Sequence, residues 1–267
     1  ATKTAPPAAP PAPSAAWVSL EPGLDLGEFP SGRPVTRGDG RVRVLRIDPA
    51  RFALRLLNAS APGEGAAMSA AEWCRRHGLV AAINASMYQE DLRTSVSLMR
   101  TAGHVNNPRL TKDRAILAFD PLEAGLPPAR ILDRECDDLE TLRGRYGSLV
   151  QSIRMVSCTG RNVWQPQPRA FSTAAIGTDR EGRVLFLHAA SPFGTHDFIE
   201  ILLGLPIGLR AAMYAEGGRE AQLFVDAAGG RTFEFLGLPE TRFGSGDGPP
   251  QRARPIPNVV AVTRRTR

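Results

Sequence analysis

The sequence is almost without lysine: Lys3 and Lys112 are the two it has, so 31 of its 33 basic side chains are arginine. Aromatic residues are scarce at 6%, and no run of basic residues exceeds three. That combination offers no stacking platform for nucleic acid, so no nucleic-acid partner is expected. Long apolar runs are missing too. The longest, residues 198–209, is broken by Glu200, Gly204, Pro206 and Gly208, well short of the ~20 residues a membrane-spanning helix needs. No G-x-G-x-x-G follows a strand and no P-loop occurs, which removes the common nucleotide-binding folds. A G-x-S-x-G elbow and an H-E-x-x-H helix are likewise absent. His77, His104, His188 and His196 show no metal-ligand spacing, and no metal or cofactor is expected.

Three cysteines are present and none forms a C-x-x-C pair. Cys74 and His77 have C-x-x-H spacing, but without a second such pair Cys74 reads as a small buried hydrophobe. Cys136 and Cys158 can pair if the chain is exported, and the odd count leaves one free thiol. The formal charge of +6 has two readings: an anionic partner such as phosphate or an acidic glycan, or a genome that writes arginine for lysine.

What is present is a globular composition. With 267 residues, 42% hydrophobic and 22% charged, the chain is long enough for a sizeable core. Residues 1–16 hold seven Ala and five Pro and lack the apolar surface to offset their own ordering. They read as an extended, disordered tether. Such tethers commonly follow a removed export signal or a lipid anchor. The expected location is therefore exported (periplasmic, secreted or lipid-anchored), with membrane attachment through residues ahead of Ala1 as one form of it.

Residues 17–267 are expected to form one domain. Val42–Ile47 and Phe52–Leu56 read as a hairpin around Asp48-Pro49-Ala50-Arg51. Ser69-Ala70-Ala71-Glu72 has the capping-box pattern and predicts a helix to His77, closed by Gly78. Leu79–Ile83 reads as a buried strand ending at Asn84. Short strands are expected at 95–100, 104–106, 114–119 and 148–157, with a short helix at 137–145. Residues 173–178 and 183–189 form a second hairpin around Asp179-Arg180-Glu181-Gly182. A helix capped by Thr195 should run to Gly204, followed by strands at 210–214, 221–225, 232–236 and 259–262. Residues 239–254 read as a mobile loop. Strands and helices do not alternate, so the fold class is α+β: a mixed, largely antiparallel sheet system with two main helices.

Two polar endings of apolar runs carry the candidate chemistry. Asn84-Ala85-Ser86-Met87-Tyr88 follows one, and Tyr214-Ala215-Glu216-Gly217-Gly218 follows the other. An Asn at a strand end either forms a turn or serves a sugar hydroxyl. A carboxylate before two glycines is either an ordinary loop or a turn that lets the backbone approach a ligand. The two strands are expected to be neighbours or near neighbours in one sheet system.

The order of the pieces resembles the phosphodiester-glycosidase (uncovering-enzyme-like) domain family, in a divergent bacterial-type form. The resemblance runs through Ala81–Tyr88, Ser95-Val96-Ser97-Leu98, Gly103–Asn107, Val150-Gln151-Ser152, Ala174–Leu187, Asp197-Phe198 and Ala211–Gly218. It implies an exported hydrolase that cleaves a glycosidic bond to a phosphodiester-linked sugar in a glycan or envelope polymer. The other reading is a catalytically lapsed glycan-binding or envelope protein on the same fold. The resemblance implies Glu216 and Asn84 as the catalytic residues, with Glu216 in place of the family's Asp. It implies a substrate-binding set of Gln151, Ser86, Tyr88, Ser97, Asn106, Arg154, Arg169, Thr173, Gly217 and Gly218. Thr173 stands where the family has arginine, with Arg154 or Arg169 as its replacement. Ser86, Ser97 and Ile153 stand at family glycines, and Arg154 at a proline.

Overall fold

The computed structural model describes residues 16–239 and 252–265. The expected tether therefore lies outside the described residues apart from Ala16, as does the bulk of the loop expected at 239–254. The chain order is β1 (Ala16–Glu21), β2 (Leu24–Pro30), β3 (Arg41–Ile47), β4 (Phe52–Asn58), α1 (Ala70–His77) and β5 (Ala81–Asn84). Next come β6 (Met99–Arg100), β7 (Val105–Asn107), β8 (Ala115–Pro121), β9 (Ala129–Asp133), α2 (Leu139–Leu142), β10 (Tyr146–Ser152) and β11 (Arg154–Val156). The chain continues through β12 (Phe171–Asp179), β13 (Val184–Phe193), α3 (Thr195–Gly204) and β14 (Leu209–Gly217). The last strands are β15 (Gln222–Ala227), β16 (Arg231–Leu236) and β17 (Asn258–Arg264).

The strands form three antiparallel sheets, in the orders β1-β2-β3-β13-β12-β14-β11, β7-β6-β10-β8-β9 and β16-β15-β5-β17-β4. The two-residue alternation of side chains builds two layers of core from each. Leu45, Ile83, Leu117, Val150, Ile176, Phe186, Met213, Leu223 and Val260 come from all three sheets and share one central core. The intervening residues face outward, and each sheet covers them with a helix. Trp73 and Cys74 of α1 pack on Ala82, Phe224 and Ala261. Phe198, Ile199 and Leu202 of α3 pack on Ala175, Leu185 and Leu187. Leu139 of α2 packs on Ile116, Ala118 and Leu149.

The α1 boundaries are as expected. Ser69 Oγ accepts the Glu72 N–H, Glu72 Oε2 accepts the Ser69 N–H at 2.8 Å, and Gly78 ends the helix at φ 60°. At the start of α3, Gly194 takes the cap position expected for Thr195, which is the first helical residue. The hairpin expected around Asp48 is not one. β3 pairs with β2 and β13, whereas β4 pairs with β17. The Asp48 turn hands the chain from one sheet to another, and local sequence cannot tell that from a hairpin because both need the same turn chemistry. Likewise β5 and β14 belong to different sheets that face each other across the central core, not to one sheet.

Candidate functional site

Glu216 owes its direction to an irregularity in β14. Along β12, Ala175 pairs with Tyr214 and Ile176 with Met213, but Ala174 pairs with Glu216 and Thr173 with Gly217. Ala215 is the extra residue of a β-bulge. Without it, Glu216 would continue the alternation of Ala212 and Tyr214 and point to the outer face with α3. The bulge instead sets Glu216 opposite Ala174, whose side chain belongs to the central core. Bulges commonly re-aim a side chain in this way. Across the sheet Ala174 pairs with His188, and His188 with Arg43. Arg43, His188, Ala174 and Glu216 therefore form one row on the inner face, each step one strand spacing of about 4.8 Å.

Beyond Glu216 the chain turns sharply. Gly217 is extended, and a Cβ there would meet the Tyr214 hydroxyl at 2.2 Å. Gly218 has φ +66° and opens a single 3-10 turn over Gly218–Glu220. Residue 237 crosses this turn so closely that a Cβ on Gly237 would lie 1.9 Å from the Gly218 carbonyl oxygen. Asn84 pins the turn from the facing sheet. Its Nδ2 donates to the Glu220 carbonyl and its Oδ1 accepts the Gln222 N–H, both at 2.8 Å. Asn84 is 2% exposed, so its role here is to hold the Glu-Gly-Gly turn in place.

The site is a small charged group on that frame. Glu216 keeps some exposed surface, but burial of its carboxyl pushes its pKa up to about 7. The Glu220 charge pushes the same way, and the Gly217 N–H, donating to Oε1 at 2.9 Å, opposes both. Tyr88, half-buried, has its phenol pushed up to about 12 by burial and by the charges of Glu216 and Glu220, against the pull of Arg254. Arg254 Nη1 pairs with Glu220 Oε1 at 2.8 Å. Of the twelve expected site residues, the structure brings together Glu216, Gly217, Gly218, Asn84 and Tyr88, and adds Glu220 and Arg254. Glu220 was legible as an acid just past the glycines. Arg254 carried no local signal, because only the pairing of β17 with β5 brings its segment here.

The remaining candidates are engaged elsewhere. Gln151 is fully buried: its Nε2 donates to the Thr111 and Asp113 carbonyls and its Oε1 accepts the Thr111 N–H at 3.0 Å. Ser97 Oγ donates to Asp113 Oδ2 at 2.6 Å, and Ser86 Oγ donates to the Gln151 carbonyl at 3.2 Å. Asn106 accepts the Ser95 N–H at 2.7 Å and donates to Ser60 Oγ at 2.7 Å. Thr173 is 1% exposed, with its hydroxyl directed at the Phe171 carbonyl. Arg154 contacts both oxygens of Asp133 at 2.8 Å and Glu135 at 2.6 Å. Its neighbourhood also contains the Cys136–Cys158 disulfide, whose Cα atoms are 6.4 Å apart. Asp133, Cys136 and Cys158 cluster closely, but bonded sulfurs and an arginine-paired carboxylate leave no ready metal ligands there. Arg169 lies over the Phe171 ring, 4.9 Å from its centroid, beside a cavity of about 290 Å³ whose lining includes Arg37 and Ser172 but not Glu216.

The three helix-covered antiparallel sheets thus carry a largely buried carboxylate immediately before a double-glycine turn. The phosphodiester glycosidase family model matches residues 77–263, and the chain belongs to that family. The fold is similar to the catalytic domain of zebrafish N-acetylglucosamine-1-phosphodiester alpha-N-acetylglucosaminidase, described as auto-inhibited by its pro-peptide. That likeness has a TM-score of 0.65 and 12% identity, covering 94% of this chain and 87% of the other. A hypothetical protein from Synechocystis is similar at a TM-score of 0.59 and 15% identity, covering 96% of this chain and 64% of that one. At these identities the likeness concerns the fold. No curated protein matches the chain.

Proposed function

We propose that the protein is an exported hydrolase that cleaves the bond between a sugar's anomeric carbon and a phosphodiester in a glycan or envelope polymer. The observation that carries this reading is Glu216: the bulge turns it inward and burial brings its pKa near neutrality, and the sequence resemblance aligns it with the family's Asp. A glycosidase needs a carboxylate at an oxocarbenium-like centre, and catalytic groups work best with a pKa close to the working pH. The leaving group decides which role suits it. Phosphate departs as a stable anion and needs little protonation, so the ionised Glu216 serves better as base towards water than as acid. Water oxygen bonds to C1, the C1–O bond breaks with its electron pair going to the phosphate, and the water proton passes to Glu216. Export is supported by the Cys136–Cys158 disulfide, since such bonds persist in oxidising compartments.

The test is a panel of sugar 1-phosphodiesters, N-acetylglucosamine among them, assayed with the parent, Glu216→Gln and Glu216→Asp. Turnover should vanish in Gln and survive in Asp. Equal turnover in the parent and Glu216→Gln would remove Glu216 from the mechanism. Inactivity of all three with glycan affinity intact in the parent would establish the binding-protein reading, which the engaged Arg154 and Thr173 favour.

A further inference from the structure

We propose that Arg254 is the cation that recognises the substrate's phosphate, and that Glu220 holds it ready before substrate arrives. This rests on the reading of the site as a phosphodiester glycosidase. Such a substrate brings a negative charge to a place that already holds Glu216 and Glu220. The family's arginine position is Thr173, a buried residue without charge. Arg154 is spent on Asp133 and Glu135. Arg219 lies in the turn after Glu216 but is exposed, whereas Arg254 is fixed at that turn by its ion pair with Glu220.

The tie has three parts. The Gln222 side chain donates to the Arg254 carbonyl at 2.6 Å and accepts the Ala70 N–H at 2.9 Å, which anchors the Arg254 backbone to the start of α1. The Gln222 N–H is held by Asn84, the residue that also holds Glu220. The guanidinium then reaches Glu220 through Nη1. That bond uses one donor of the five in the guanidinium fork, and a fork of this shape matches a phosphate in a bidentate manner. The Arg254 side chain is 48% exposed, and an ion pair at such exposure is weak, so exchanging Glu220 for phosphate meets little resistance. As the C1–O bond breaks, the phosphodiester monoanion becomes a phosphomonoester with a further charge. A fixed cation beside it therefore stabilises the transition state more than the ground state.

The experiment compares two substrates of the same sugar, a 1-phosphodiester and an uncharged aryl glycoside, with the parent, Arg254→Gln and Arg254→Lys. Arg254→Gln should lower kcat/KM for the phosphodiester by about 100- to 1000-fold, the usual effect of deleting one charge-stabilising group. The aryl glycoside should change less than about threefold, and Arg254→Lys should fall between. Inorganic phosphate should inhibit the parent competitively and lose that effect in Arg254→Gln. An equal fall on both substrates would make Arg254 structural, and no fall on either would remove it from the site; both overturn the proposal. If the parent cleaves neither substrate, the enzyme reading fails, and Arg254 is judged by calorimetric titration with inorganic phosphate alone. Weaker binding in Arg254→Gln supports it, and equal or absent binding in both overturns it.

Discussion

Removing the titrating ring of His188 should make the protein grow more stable on acidification than its parent does, and the structure sets the size of the effect. His188 has no exposed surface. Its Nε2 lies 3.3 Å from the Ala221 carbonyl, which can only accept, so the neutral ring carries its proton there. Among the described residues Nδ1 has no hydrogen-bond partner, and neither has Nε of Arg43, the residue paired with it across the sheet. Phe235 packs against the ring, while Asp39 and Glu28 are drawn off by Arg43. Burial foremost, with the Arg43 charge adding to it, lowers the His188 pKa to about 4 from an ordinary 6.5. A folded-state pKa below the unfolded one means that stability is whole above pH 6.5 and is lost as pH falls towards 4. Between pH 7 and 5 the loss is about 2 kcal/mol. Glu216 works oppositely. Its raised pKa makes the folded state costly above pH 7 and relieves that cost as the pH falls towards its ordinary 4.5. The relief between pH 7 and 5 is also about 2 kcal/mol. The two nearly cancel in the parent. Thermal unfolding of the parent, His188→Leu and Glu216→Gln at pH 7, 6 and 5 tests the pair. Relative to the parent, His188→Leu should gain about 4–8 °C between pH 7 and 5, and Glu216→Gln should lose a similar amount. Variant-minus-parent differences that stay flat with pH would refute the assignment of these two groups.

With Glu216 as the base, kcat/KM on a phosphodiester should rise with pH through about 7, and a profile falling over that range would reassign it as the acid. Replacing Cys136 and Cys158 with serine removes a cross-link spanning a sequence separation of 22 and should cost about 3 kcal/mol in denaturant unfolding; an unchanged midpoint would show that the link constrains little. Ser69→Ala removes the hydroxyl that accepts the Glu72 N–H, while the Ser69 backbone N–H still donates to Glu72, and should cost about 1 kcal/mol, read by the same melts. Gly237→Ala should cripple turnover more than it lowers the melting temperature, because its Cβ would push the Gly218 carbonyl and the turn behind Glu216; full activity would show that the turn tolerates displacement.

Much of the fold was readable because local rules and tertiary structure agree in it. The Ser69–Glu72 box, Gly78 at a left-handed position and the Asp179–Gly182 turn each state their geometry in a few adjacent residues. Other elements were not readable. β2 and β9 carry intermediate or exposed positions among their apolar ones, which blurs the alternation that marks a strand; β1, β2 and β9 pair with the strands next to them in sequence, but no such hairpin was expected there. Gln151 and Asn106 looked like ligand groups because sequence shows an amide but not its partners. In the fold those amides satisfy buried backbone, as burial demands of any polar group.

By itself, the sequence determined that the chain forms antiparallel strands with few helices, belongs with phosphodiester-glycosidase-like proteins, and holds an acid before two glycines. The strands and the acid are matters of spacing and residue type, and the family is a matter of resemblance in the order of the segments. Tertiary structure alone decided that Glu216 faces the interior, that Asn84 holds a turn, and that Arg254 meets Glu220. One extra residue in β14 turns a side chain from one face of the sheet to the other, and a bulge shows only in the register with β12. The contact between Arg254 and Glu220 exists because β17 pairs beside β5, and that pairing is set by the shared core, not by any residue near either end of the ion pair.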